Sequence, residues 1–367
     1  MTASAASRRL DRVRVDLVNH DLQGLLVSHL PNVRYLTGFT GSNGWLAVGE
    51  HRAVFITDGR YEQQAEEELA ADAGIHMLVL REQFQEGLAK CITDVFRGAT
   101  VGFEGPYVSY ANWTRLVEDC DGVNWEAKTG LVEKLRAVKD DDEIAAISKA
   151  AEIAAEALLE TMSLVRPGTC ELDIASELDY RMVRLGASGP AFETIVASGP
   201  RTALPHAATG RRNLCEGDLL LCDFGARWAG YCSDLSRTFV IGQATQRQRE
   251  VYGAVLEAQR AALAALRAGA TGAEVDAATR RSFESRGLEE RFSHSTGHGL
   301  GLEVHEGPRL GRRAEEVLEA SMVVTVEPGL YFPGWGGVRI EEDVVVTEDR
   351  PRLVVDLETD QLRALPG

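Results

Sequence analysis

The chain has 367 residues and a formal net charge of −17, with 44% hydrophobic and 26% charged residues. That length exceeds one typical domain, and that charge excludes a nucleic acid or an anionic membrane surface as partner. Six cysteines without a CxxC pair exclude a disulfide scaffold, no apolar run is long enough to cross a bilayer, and MTASAASRRLDRVRV has no apolar core of a secretory signal, so a reduced, cytoplasmic protein is expected.

Residues 1–130 alternate helical and strand-like patterns, which predicts an α/β domain. Residues 8–20 place Leu10, Val13 and Leu17 on one side of a helix, and 24–28 read as a short strand. Residues 44–48 and 53–57 flank Gly49-Glu50 as a hairpin. Residues 61–72 form an acidic helix whose Glu66-Glu67-Glu68 run reads as a solvated face. The alternation continues through 75–80, 85–96, 101–103, 110–120 and 123–126 without a cluster of titratable groups.

Residues 131–367 differ in texture. Asp140 and Glu143 form a capping-box pattern that opens a long helix to about Val165, stopped by Pro167-Gly168; residues 170–185 are a second helix closed by Gly186. Thr245 with Gln248 and Thr271 with Glu274 open another such pair, closed by Gly269 and Gly287. LVRPGTCELDIASELDYRMVRLG and ALRAGATGAEVDAATRRSFESRG align without a gap, so the domain is read as a duplicated helix–helix–hairpin of α+β class. Each half should then carry paired acids on a hairpin. LLLCDFGARWAGYCSDLSRTFV carries Asp223 and Asp234; residues 322–326 lead into Glu327, and 338–346 carry Glu341, with the loop PGLYFPGWGG between. Strand alternation puts Arg339, Glu341 and Asp343 on one face and leaves Glu342 on the other.

Four clustered carboxylates are costly unless protons are shared or a cation arrives. Between the hairpins, FSHSTGHGLGLEVHE supplies His294, His298 and His305 among small glycines, and ALPHAA supplies His206. Carboxylates with one imidazole suit Mn(II), Co(II) or Zn(II), and two cations about 3.5–4 Å apart activate water and polarise a carbonyl. The remaining histidines would orient substrate and stabilise a tetrahedral intermediate.

GHGLGLEVHE, TVEPGLY, GVRIEED and CDFGARWAGYCSDLSRT resemble the pita-bread metallopeptidases, which include methionine aminopeptidase, aminopeptidase P and prolidase. YLTGFTGSNG and TDGRY resemble the N-terminal domain that the proline-specific members share with creatinase. The resemblance implies a creatinase-like α/β domain followed by a pita-bread domain, and two divalent metal ions, Mn(II) first among them. It implies Asp223 on the second metal, Asp234 and Glu341 bridging, and His298 and Glu327 on the first, with Glu327 also handling a proton. His206, His294 and His305 match substrate-side histidines, and Arg339 matches a basic residue beside the last ligand. Phe192, in PAFETIVASG, stands where some aminopeptidases P have a tyrosine.

Arg339 has two readings: it neutralises the acids, or its fork receives a substrate carboxylate or carbonyl. The activity implied is hydrolysis of the Xaa-Pro bond at the N-terminus of a proline-containing peptide, by an aminopeptidase or alternatively by a dipeptidase. A creatinase-like non-peptidase hydrolase or a binding module is the third reading, disfavoured because all five ligand positions are filled. A homodimer is implied by the resemblance alone.

Overall fold

Leu10, Val13 and Leu17 form the buried stripe of α1 (Ala5–Asn19), whose N-cap Ser4 accepts the Ser7 N–H. The structure is a computed structural model and describes residues 4–70 and 73–367. The chain divides into two units, Met1–Arg136 and Ala137–Gly367.

The first unit holds β1 (Gly24–Val27), β2 (Trp45–Gly49), β3 (Ala53–Asp58), β4 (Ile75–Leu80), β5 (Thr100–Glu104) and β6 (Asn124–Lys128). Their order is β4-β3-β2-β1-β5-β6, antiparallel at β1/β2 and β2/β3 and parallel elsewhere. The helix α2 (Leu30–Thr37) escaped the sequence pattern. It spans eight residues, too few for a period to emerge, and is bounded by Pro31 in its first turn and Gly38 at φ 86°. The acidic helix is α3 (Glu62–Glu68); its expected end at Ala71 and Asp72 lies outside the described residues. Glu66 and Glu67 are exposed as expected, but Glu68 accepts the Thr40 N–H and hydroxyl, each at 2.7 Å. Two further helices, α4 (Phe84–Phe96) and α5 (Tyr110–Asp119), complete the alternation. Leu26, Ile56, Ile92, Phe96 and Val101 are core, each stabilising the unit by roughly 1.5–3 kcal/mol on burial.

The chain passes α6 (Leu131–Ala137) into the second unit, whose helices are α7 (Asp141–Met162), α8 (Glu171–Arg184), α9 (Gln246–Ala265) and α10 (Gly272–Glu284). All three expected capping boxes form, with both reciprocal hydrogen bonds in each. The duplication extends to contacts between segments. Gly168 N–H donates to Leu214 O and Gly269 N–H to Leu318 O, while Cys170 bridges Asn213 and Thr271 bridges Val317.

The first half continues with β7 (Gly189–Pro190), β8 (Ile195–Ser198), β9 (Leu219–Phe224), β10 (Ala226–Trp228), β11 (Tyr231–Cys232) and β12 (Leu235–Ile241). The second has β13 (Gly297–Gly299), β14 (Glu306–Leu310), β15 (Val323–Val326), β16 (Gly329–Phe332), β17 (Gly336–Arg339) and β18 (Glu342–Val345). In each half a main antiparallel pair, β9/β12 or β15/β18, breaks into a smaller hairpin at its tip, β10/β11 or β16/β17. The stretch PGLYFPGWGG is therefore not an open loop. Leu330, Tyr331 and Phe332 have strand propensity, and Gly334 at φ 79° closes the turn. Glu341 consequently lies at the break between β17 and β18, not within one continuous strand with Arg339.

Candidate metal centre

The four acids stand where the main strands break. Asp223 is near the end of β9 and Asp234 directly precedes β12; Glu327 directly follows β15 and Glu341 directly precedes β18. The halves are stitched at Ser236, which pairs with Asp223 in the β9/β12 ladder and bridges Glu341. Its hydroxyl donates to Glu341 Oε2 at 2.6 Å and accepts Arg339 Nε at 2.8 Å.

His298 is framed by Gly297 and Gly299, and the reason is backbone crowding. A Cβ at Gly297 would lie 1.9 Å from Thr325 O, and one at Gly299 would lie 2.1 Å from Gly307 O. The histidine's Nδ1 is 3.1 Å from Gly299 O, which can only accept, so Nδ1 carries the proton. That leaves the Nε2 lone pair 3.7 Å from both Asp234 Oδ2 and Glu327 Oε1. Burial pushes the imidazole down to about 4, so the ring is neutral near neutral pH. A lone pair facing two carboxylates is repulsive until a cation lies between them.

The acids tell the same story. Burial, and then the charge of Glu341, raise Asp234 and Glu327 well above the ordinary carboxylate range. Burial and Asp223 push Glu341 up to about 7, although Arg339 and the Ser236 hydroxyl oppose this. Asp223 is raised by burial against the pull of Arg339, and its Oδ1 is buried with no hydrogen-bond partner. Atoms of Asp234, His298 and Glu341 lie within 4.8 Å of one another. Hard carboxylate oxygens, one fixed imidazole nitrogen and an orphaned oxygen fit divalent cations.

Phe192, His206, His294, His305 and Arg339 line the same cavity as the five candidate ligands, about 260 Å³ in volume. His294 Nδ1 lies 2.8 Å from Ser295 O and its Nε2 2.9 Å from the Tyr331 hydroxyl; burial and then Arg339 push it down to about 4. The ring of His305 leans on His298 at 4.3 Å between centroids. His206 is exposed on the loop after Pro205.

Arg339 is buried, and its guanidinium is turned onto the protein. Nε donates to Ser236, Nη1 to Pro205 O at 3.0 Å and Tyr331 Oη at 3.1 Å, and Nη2 to Asp223 Oδ2 at 2.6 Å. With four of its five N–H groups spent, it neutralises and orients Asp223, and no open fork is left for a ligand. Glu342, on the other face as expected, is structural: it is buried in an ion pair with Arg237 at 2.7 Å.

Three residues escaped the sequence reading. Ser236 shares the alternation of Asp234, but its bridge to Glu341 is tertiary. Tyr331 sat in a stretch read as loop. Arg309 is paired directly with His298 in the β13/β14 ladder, so both side chains share a face. It is exposed at the cavity wall with no carboxylate or carbonyl partner among the described residues. A larger depression of about 880 Å³ in the first unit holds no comparable chemistry, because its acid, Asp58, is already paired with Arg60 and Asn43.

Residues 145–348 match the family described as metallopeptidase family M24, and residues 9–138 match the creatinase/prolidase N-terminal domain. The chain belongs to metallopeptidase family M24. Among solved structures, this M24 peptidase is similar to the Xaa-Pro dipeptidase from Bacillus anthracis, with 38% identity and a TM-score of 0.94 over 98% of this chain and 100% of that one. It is also similar to the X-Pro aminopeptidase from Thermotoga maritima MSB8, with 36% identity and a TM-score of 0.89 over 97% and 99%. A curated relative, the Xaa-Pro dipeptidase of Pyrococcus furiosus, is 34% identical over 96% of this chain and 99% of its own length. The M24 unit has the pita-bread fold of these relatives, preceded by the creatinase-type domain. Among the described residues no helix is long and apolar enough to cross a membrane.

Proposed function

We propose that this M24 peptidase is a Xaa-Pro dipeptidase that works with two divalent cations, held by Asp223, Asp234, His298, Glu327 and Glu341. The observation that carries the dipeptidase reading is Arg309, a guanidinium without a partner on the same face as His298. Its planar fork suits the free carboxylate that a dipeptide presents one residue beyond the scissile bond. The cavity of about 260 Å³ lies below the roughly 300–1,000 Å³ of sites for drug-sized ligands, which suits a two-residue substrate. The dipeptidases of Bacillus anthracis and Pyrococcus furiosus support the same reading.

When bound, the cations activate water and polarise the scissile carbonyl. Glu327 takes the proton of the attacking water and returns it to the proline nitrogen as that nitrogen leaves, a role its place in the cavity beside His298 supports. Neutral His305, with His206, orients the substrate and donates to charge that develops on the carbonyl oxygen, and His294, whose Nδ1 proton is held by Ser295 O and whose Nε2 accepts from the Tyr331 hydroxyl, orients the substrate with its ring. Arg339 keeps Asp223 ionised and fixed. Phe192 contributes an apolar wall and no hydroxyl. Mn(II) fits an oxygen-rich set with one imidazole, and Co(II) and Zn(II) fit next. A cytoplasmic homodimer belongs to the same reading, and analytical ultracentrifugation tests the dimer.

The aminopeptidase reading is second, supported by the Thermotoga maritima relative. Leu-Pro and Leu-Pro-Gly, compared on metal-loaded protein, separate the two. The dipeptidase reading expects kcat/KM about tenfold or more higher on Leu-Pro, because only that substrate places a carboxylate at Arg309. Equal or better turnover of the tripeptide defeats it.

A further inference from the structure

Helix α10 carries a buried ion pair that the proposed chemistry does not use. Asp276 is 1% exposed and Arg280, one turn later, is 12% exposed; Arg280 Nε donates to Asp276 Oδ2 at 2.7 Å. Neither residue lines the cavity. Both instead hold the segment that carries His294. Asp276 Oδ1 accepts the Thr296 N–H at 3.1 Å and the Thr296 hydroxyl at 2.9 Å. Arg280 Nη2 donates to His294 O at 2.7 Å, Nη1 reaches Phe292 O at 3.4 Å, and the guanidinium lies 4.6 Å over the Phe292 ring. From Thr296 the connection continues, because its carbonyl accepts the Glu327 N–H at 2.8 Å.

The first half shows what is special here. Asp179 on α8 accepts the Thr194 hydroxyl at 2.6 Å, and Thr194 follows the cavity residue Phe192 by two positions, as Thr296 follows His294. Both halves thus use a helix carboxylate to grip a threonine two residues past a ring in the cavity. In the first half an arginine of β10, Arg227, donates to Ala191 O beside the ring at 3.0 Å, whereas in the second the arginine comes from the helix that supplies the carboxylate and bonds the histidine's own carbonyl. The helix arginine thus fixes the backbone of the residue whose ring has to be aimed.

We propose that Asp276 and Arg280 are positioning residues that aim His294, Arg280 acting through the His294 carbonyl and Asp276 through Thr296. The proposal rests on the substrate-side role given to His294 above.

The test is a double-mutant cycle on full-length, zinc-loaded protein with Arg280→Lys, His294→Ala and the pair. Lys keeps a charge beside Asp276 but cannot reach both the aspartate and two carbonyls, so the fold survives. Arg280→Lys is expected to keep both cations by metal analysis and to lower kcat about 10-fold or more with KM little changed, as a displaced catalytic group does. It should shift the ring resonances of His294 and leave those of His305 in place. On the His294→Ala background it should cost nothing further. Arg280→Met should lose at least as much, and if that variant does not fold, Arg280→Lys decides. Wild-type kcat in Arg280→Lys with a damaged His294→Ala overturns the clamp and spares the histidine. Losses that multiply also overturn it. Wild-type kcat in His294→Ala instead removes the histidine's role, and the clamp falls with it.

Discussion

Replacing Arg309 with methionine should reveal how the substrate's far end is held. The side chain pairs with His298 across β13/β14, and its head group is exposed. Its contact with a carboxylate is therefore weaker than the ~1.5–3 kcal/mol of a hydrogen bond to a charged group, and stronger than the ~0–1 kcal/mol of a surface ion pair. About 1.4 kcal/mol between these limits corresponds to about tenfold in kcat/KM. The assay compares Leu-Pro, Leu-Pro-amide and Leu-Pro-Gly on metal-loaded wild type and Arg309→Met. Leu-Pro should lose about tenfold, chiefly in KM. Leu-Pro-amide has the same length without the charge and should lose little, and the tripeptide carboxylate sits about 3.5 Å farther out and should suffer less than Leu-Pro. Arg339→Lys is the contrast. Its partners are Ser236, Pro205 O, Tyr331 and Asp223, so its damage should be equal on all three substrates. Equal losses on Leu-Pro and Leu-Pro-amide in Arg309→Met, with cations retained, would refute the assignment of the carboxylate to Arg309.

The remaining expectations concern the centre itself. Asp234→Ala and Glu341→Ala should each lower cation content toward zero by elemental analysis, since both are proposed to bridge; loss of a single ion would reassign that residue to a terminal position. His294→Ala and His305→Ala should keep two ions and lower kcat about 10²-fold, and a collapse in metal content would make either a ligand. Chelated protein should lose stability as pH rises. Glu341 moves from 4.5 to about 7 on folding, and Asp234 and Glu327 shift the same way. The folded state then binds more protons than the unfolded state across that interval, and the favourable contribution present below about 4.5 is gone above about 7. Tm of stripped protein should fall between pH 5 and 8, and saturating cation should abolish the fall; an unchanged slope on metal addition would count against the acids as ligands.

What could be read from the sequence was what is local. Capping boxes at Asp140, Thr245 and Thr271 need only four consecutive residues, and all formed. The acids were found because a duplicated pattern repeats itself along the chain. What escaped depends on register or on partners far away in sequence. No periodicity tells that Arg309 faces His298, because the β13/β14 register shifts after His298. Arg339 was open to two roles because alternation gives a face and not a partner, and its partners come from 8 to 134 residues away. The β16/β17 hairpin hid in a glycine-rich stretch that looks like a loop until its ends are pinned. Asp276 and Arg280 carry no signal in the sequence beyond a spacing of one helical turn, and only the packing of α10 against the histidine segment gives them a task.

The glycines beside His298 bear on how such a protein can lose its activity. A Cβ at Gly297 or Gly299 strikes a backbone carbonyl, whereas the side chain at position 298 projects into the cavity beside His305. The histidine can be exchanged while the chain still folds, but its neighbours cannot. A lineage that abandons catalysis and keeps the scaffold for another use is free to drop His298 and must retain the glycines around it. A damaged copy drifting toward loss is under no such constraint. The two fates leave different traces at three adjacent positions: a vacant middle between preserved flanks marks a silenced enzyme, and eroded flanks mark one that no longer folds.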